Sequence, residues 1–148
     1  MRLVRVPVLD RVAMAGRAAD EDDFKVVDYE EIPIFDCDSP NVKYALVRVY
    51  GDSMVGAGIY SGNWVLFRLC EIVPNGALAA VATPHGLTIK FYEQTLEGTV
   101  RLSCANREFE PQIFLRDEVK IRGLVIHNGQ SWKKYHSLLG NADNRKRA

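Results

Sequence analysis

The chain has 148 residues, enough for one domain with a real core and too few for two comfortable ones. Lys+Arg and Asp+Glu each total 19, and the chain is 47% hydrophobic and 26% charged, a globular composition with no overall charge excess suited to coating phosphates. No apolar run approaches the roughly 20 residues that cross a bilayer, and Arg2, Arg5, Asp10 and Arg11 interrupt the opening "MRLVRVPVLDRV" where a signal peptide carries its apolar centre, so a cytoplasmic protein is expected.

Charge divides the N-terminal region. Residues 1–17 carry Arg2, Arg5, Arg11 and Arg17 against Asp10, whereas "DEDDFKVVDYEE" (20–31) sets seven acids against Lys25. A block of that kind reads as a solvated, mobile segment. Between the two lies "VAMAGRAA" (12–19), small and nearly uncharged, which reads as a flexible arm joining them.

From about residue 42 the pattern changes to short β-like runs. "YALVRVY" (44–50) alternates Ala45, Val47 and Val49 against Tyr44, Leu46, Arg48 and Tyr50. "WVLFRL" (64–69), "ALAAVA" (77–82), "LTIKFY" (87–92), "TVRLS" (99–103) and "VKIRGLVIH" (119–127) follow, separated by turn chemistry at 61–63, 74–76, 84–86 and 97–98. Pro84-His85-Gly86 predicts a tight hairpin loop, and low helix content is expected. The closing "GNADNRKRA" is polar, basic and expected to fray. The pattern predicts a mostly antiparallel β domain over 42–130, an arm with an acidic linker over 1–41, and a polar basic tail over 131–148. Strands near 119–127 are read as edges through which two subunits could pair.

Cys37, Cys70 and Cys104 are odd in number and form no CxxC pair, and His85, His127 and His136 fall at no metal-ligand spacing. Neither a metal nor another cofactor is expected.

The stretch "YGDSMVGAGIYSGNW" (50–64) places Ser53 in a bend rich in glycine. Ser53 is either a turn residue or a nucleophile, and a serine hydroxyl becomes a good nucleophile only when a base takes its proton. His85, His127 and His136 are candidates without a motif, and no G-x-S-x-G elbow is present. Lys90, inside the apolar run "LTIKFY" with Thr88 and Tyr92 on its own face, is another candidate. To serve as a base, a lysine must be desolvated so that its pKa falls from about 10.4 to about 7–8; otherwise Lys90 is an ordinary exposed strand residue.

"GDSMVGAGIYSGNWVLF" resembles the serine motif of the LexA/UmuD family of self-cleaving serine–lysine peptidases, with Asn63 where that family commonly has aspartate. Four further landmarks follow in order. "NGALAAVA" (75–82) resembles its N-G-D-I-V-V-A strand, and Thr88-Ile89-Lys90 its TVK strand. "LSCANREFEPQIF" (102–114) resembles its L-x-P-x-N-x-x-Y/F-x-P-I segment, and "VKIRGLVIHNG" its closing I-x-G-x-V strand. The resemblance spans residues 44 to about 129 and implies a mainly β, LexA C-terminal-domain-like fold of the β-clip type with a flexible N-terminal arm. It implies Ser53 as nucleophile, Lys90 as general base, and the backbone N–H groups of Asp52 and Ser53 as the oxyanion hole. "VPVLDRVAMAGRAAD" (6–20) resembles the family's cleavage region, which implies self-cleavage between Ala15 and Gly16; Asp10 in place of glycine and the extra Met14 are departures that leave its register open.

The family's known behaviour implies stimulation by the RecA–single-stranded DNA filament, a homodimer, and control of the SOS response, of phage-type repression or of a translesion DNA polymerase partner. Only fourteen residues precede Ala15, so no helix-turn-helix fits there and no direct DNA binding is expected of this sequence. A short-armed UmuD-like protein and the C-terminal part of a longer repressor are both compatible with the pattern. So is a dimerisation module that does not cleave. A signal-peptidase relative shares the chemistry but needs a membrane anchor.

Overall fold

Residues 2–9, 26–34 and 41–129 are described by the computed structural model. They form nine strands: β1 (Arg2–Leu9), β2 (Val26–Ile34), β3 (Tyr44–Arg48), β4 (Trp64–Leu69), β5 (Ala77–Thr83), β6 (Gly86–Gln94), β7 (Thr99–Ser103), β8 (Gln112–Leu115) and β9 (Lys120–Gly129). The strands make one sheet in the order β2-β1-β3-β4-β9-β5-β6-β7-β8. All pairings are antiparallel except β1 with β3, which run parallel with Val8 opposite Leu46 and Leu9 opposite Val47. This is the mainly β fold the sequence pattern and the family resemblance predict.

Period-two alternation sends neighbouring residues of the central strands into different cores. Ala45, Val47, Val65, Phe67, Ala80 and Ala82 join one buried cluster with Met54, Ile59, Leu87 and Ile89. The alternate residues Ala79 and Val81 pack with Tyr92, Val100 and Leu102, and Tyr44, Leu46 and Leu66 pack with Val6, Val8, Ile32 and Ile34. Both faces of β3, β4 and β5 are therefore covered, which explains why these runs are nearly continuous in apolar residues. The hairpin at Pro84-His85 forms as the turn chemistry predicts. Thr83 pairs with Gly86, and the Thr83 hydroxyl donates to Gly86 O at 2.9 Å and accepts from His85 N–H at 3.0 Å.

Three expectations need correction. The acidic block was expected to be solvated and mobile; its described residues Val26 to Glu31 are exposed or half-buried as expected, but they are held in β2, which pairs with β1 from Arg2↔Ile34 to Leu9↔Val26. The pairing sets Arg5 opposite Glu31, and its buried Ile32 and Ile34 join Val6 and Val8 in the core. The segment "QIFL" (112–115), not read as a strand, forms β8 and closes the sheet against β7. The edge reading of 119–127 holds only in part: β9 lies between β4 and β5 and is paired on both sides at Gly123 and Leu124, whereas Val125 to Gly129 pair with β4 alone and Lys120 and Ile121 with β5 alone. Among the described residues the sheet edges are β2 and β8.

Candidate active site

The loop that follows β3 is closed on itself at its base. Val49 N–H donates to Asn63 O at 2.9 Å, Gly62 N–H to Val49 O at 2.7 Å, and Gly51 N–H to Ser61 Oγ at 3.1 Å. Asn63 is buried and satisfied: its side-chain oxygen accepts from Tyr60 N–H at 2.9 Å, so an amide serves where the resembling family commonly has a carboxylate. Gly51 and Gly62 take φ of 93° and 88°, a left-handed backbone that L side chains rarely adopt and that these two turns require. Underneath, Met54 and Ile59 are 1% and 0% exposed and anchor the loop in the core. Ser53 sits at the top of this pinned loop.

A second segment clamps the loop from the side. Ala105 N–H donates to Ser53 O at 2.8 Å, Gly56 N–H to Ala105 O at 2.6 Å, and Asn106 Nδ2 to Asp52 O at 2.8 Å. Gly56 is needed for this close approach, because a Cβ there would run into the Ala105 carbonyl.

Lys90 comes from β6, where it pairs with Ala79, and is only 9% exposed. Its Nζ donates to Ser53 Oγ at 2.9 Å, to Thr88 Oγ1 at 2.8 Å and to Ile89 O at 3.3 Å. Thr88 precedes Lys90 by two residues, so the pleat sets both on one face, and a buried lysine amine meets hydrogen-bonding groups in place of water. Of the candidate bases among the described residues, only Lys90 makes a hydrogen bond to Ser53. His85 lines the same cleft, with its ring 6.3 Å from that of Phe114. His127 lies on β9 opposite Leu66, and partial burial lowers its pKa from the ordinary histidine value. His136 lies outside the described residues.

Ser53 and Lys90 open into a cleft of about 290 Å³, bordered by Thr83, His85, Phe109 and Glu110. The backbone N–H groups of Asp52 and Ser53, which the resemblance assigns to the oxyanion hole, donate to no other group among the described residues. The Ala15–Gly16 bond lies outside the described residues. Among the described residues no group of three or more His, Cys, Asp or Glu could hold a metal ion, and Cys70 and Cys104 are free thiols. The residues that sequence reasoning passed over are Ser61, Ala105 and Asn106. Only Asn106 carried a signal, as the asparagine of the "LSCANREFEPQIF" segment.

The Peptidase S24-like family model matches residues 7–126. The chain is 32% identical over 124 residues to a LexA repressor of Pelagibacter ubique, covering 83% of this chain and 53% of that protein. It is 34% identical over 122 residues to a LexA repressor of Thermotoga neapolitana, covering 82% of this chain and 60% of that protein. The chain thus spans between half and three fifths of the length of these curated relatives. The chain belongs to the Peptidase S24-like family, a family of serine proteases.

Proposed function

We propose that this S24-like domain is a self-cleaving serine–lysine peptidase that cuts its own arm between Ala15 and Gly16. The observation that carries the reading is the 2.9 Å hydrogen bond between Lys90 Nζ and Ser53 Oγ in a largely buried setting. Burial favours the neutral amine over the ammonium; in that form its two N–H groups serve Thr88 Oγ1 and Ile89 O, and its lone pair accepts from the Ser53 hydroxyl across the same 2.9 Å contact, positioned to take the serine proton.

In the reaction, Ser53 Oγ attacks the Ala15 carbonyl carbon as its proton passes to Lys90. The tetrahedral oxyanion lies against the N–H groups of Asp52 and Ser53. Collapse breaks the Ala15–Gly16 bond, and Lys90 returns the proton to the Gly16 amine. Lys90 then activates a water that hydrolyses the acyl-serine and restores the hydroxyl. The small side chain of Ala15 suits a narrow site, and Gly16 permits close approach of the backbone.

The topology supports attack within one chain. β1 runs parallel to β3, with Leu9 level with Val47. Ala15 follows Leu9 by six residues, and Ser53 follows Val47 by six. Six extended residues reach about 20 Å. A tethered substrate raises the effective concentration of the bond at the nucleophile, so a two-residue catalytic apparatus suffices.

On this reading, residues 1–41 carry the cleavage region, with β1 and β2 packed onto the sheet of the peptidase and dimerisation domain at 42–130, and residues 131–148 are a polar tail. The chain acts as a cytoplasmic homodimer in an SOS or phage-type regulatory circuit, with the RecA–single-stranded DNA filament stimulating cleavage. It serves either a translesion polymerase partner, as a UmuD-like protein, or transcription, as the C-terminal part of a repressor. The repressor reading is favoured by the names of the relatives, which are LexA repressors extending well beyond the matched region.

The test is to incubate the purified chain at about pH 10, and at neutral pH with and without RecA filament, and to weigh the products. Fragments ending at Ala15 and starting at Gly16, absent in Ser53→Ala and Lys90→Ala, are expected. An intact wild-type chain under every condition refutes the peptidase reading and leaves a non-cleaving module.

A further inference from the structure

The peptide on the N-terminal side of Ser53 is held by its carbonyl from outside the loop. Asp52 O accepts from Asn106 Nδ2 at 2.8 Å, whereas its other contact, from Val55 N–H, is long at 3.4 Å. A trans peptide is planar, with its C=O and N–H pointing opposite ways. Fixing the Asp52 carbonyl on Asn106 therefore fixes the direction of the Ser53 N–H, one of the two groups assigned to the oxyanion.

Asn106 is itself oriented. Its Oδ1 accepts from Glu108 N–H at 3.0 Å, which leaves the NH₂ end of the amide to face Asp52. Next to it, Ala105 N–H takes the Ser53 carbonyl at 2.8 Å, so the peptides before and after the serine are both gripped by consecutive residues of one segment. The two gripped stretches lie 54 residues apart in the chain for the Asn106 contact, and no strand pairing forces them together.

We infer that Asn106 is a positioning residue for the peptidase, locking the Asp52–Ser53 peptide so that the Ser53 N–H faces the developing oxyanion. The inference rests on the reading of Ser53 as the nucleophile. Among the described residues the Asn106 side chain bonds to Asp52 O and Glu108 N–H, not to Ser53 Oγ or Lys90, and acts through the backbone.

Two variants separate this role from a general loss of structure. In Asn106→Asp one carboxylate oxygen can still accept from Glu108 N–H, but the other meets the Asp52 carbonyl oxygen and repels it, which favours rotation of the peptide. Asn106→Ala removes the clamp without adding charge. Self-cleavage of the full chain is followed from pH 7 to 10 for wild type, both variants and Ser53→Ala, together with the melting temperature and the rate at which a fluorophosphonate probe labels Ser53. Outright loss of an oxyanion donor costs about 10²- to 10³-fold, so loosening one is expected to lower the plateau rate and the labelling rate by about 10- to 100-fold. The pH midpoint should not move, because Lys90 is untouched, and the melting temperature should change little. Plateau rates within twofold of wild type overturn the inference, as does a fall matched by a displaced midpoint and a collapsed melting temperature. A wild-type chain silent in both cleavage and labelling overturns the peptidase reading itself, and this inference with it.

Discussion

Replacing Lys90 with methionine removes the amine while keeping an unbranched side chain of similar length. The hydrogen bonds lost include those to Ser53 Oγ, Thr88 Oγ1 and Ile89 O. Net hydrogen bonds are worth about 1 kcal/mol each, which taken alone predicts a loss of about 3 kcal/mol. Against this stands the desolvation of an amine that is 9% exposed, a cost of several kcal/mol if the group is charged and less if it is neutral. Methionine carries no such cost, and the Ser53 and Thr88 hydroxyls can each turn towards the cleft. The terms nearly cancel, so stability should change by no more than about 1 kcal/mol in either direction. Self-cleavage should fall by at least about 10²- to 10⁴-fold, the range assigned to general-base catalysis. Adding Ser53→Ala should cost almost nothing more, because the two residues act as a unit. The assay is fragment mass against time at about pH 10, with urea unfolding in parallel. Retained cleavage, or a stability loss above about 2 kcal/mol, would refute the reasoning by showing Lys90 to be a structural residue.

Wild-type cleavage should accelerate as pH rises from about 7 to about 10, reporting neutralisation of a lysine, and a flat rate measured by fragment appearance would count against Lys90. Gly56→Ala forces a Cβ into the Ala105 carbonyl and should cost about 1–3 kcal/mol by chemical denaturation, with cleavage slowed as the clamp on the Ser53 loop opens. Met54→Ala empties the packing beneath the same loop, where Met54 is 1% exposed, and should cost about 2–5 kcal/mol; a smaller loss would mean the loop is held by its hydrogen bonds alone. His127 has a lowered pKa through partial burial, so the folded state resists its protonation. Its contribution is fully present above the unfolded value of about 6.5 and is lost as pH falls below it. His127→Gln should flatten part of the decline in melting temperature between about pH 7 and 5, and an unchanged slope would remove His127 as a contributor.

The strands β3 to β7 were legible because each is an apolar run bounded by Gly, Pro or Asn, and local pattern is enough to find such runs. β2 was hidden because Asp28, Glu30 and Glu31 are the exposed and half-exposed positions of a strand that is buried only at its end, over Ile32, Pro33 and Ile34. β8 has four residues, of which Ile113 and Leu115 remain exposed, so it shows neither length nor the expected polar outer face. The interior place of β9 depends on partners far away in sequence, which no local pattern reports. Gly123 was the one clue: a Cβ there would strike the Phe67 ring and the Arg68 carbonyl, a crowding expected of a central strand and not of an edge. Ser53 and Lys90 were legible from motif, but the burial of Lys90 was not, since the groups that accept from its amine include a serine 37 residues away.

The parallel pairing of β1 bears on what a cut would accomplish. Hydrolysis after Ala15 would divide the chain between β1 and β2, yet those strands remain zipped together in register, with Val6 and Val8 at 0% and 4% exposure in the core they share with β3. Scission would therefore convert a covalent segment into a tightly held peptide ligand of its own former domain. The two pieces should co-elute under native conditions and part only in denaturant. The biological signal would then be timed by the dwell of that strand rather than by the chemistry at Ser53, and excess free peptide of the same sequence would lengthen it.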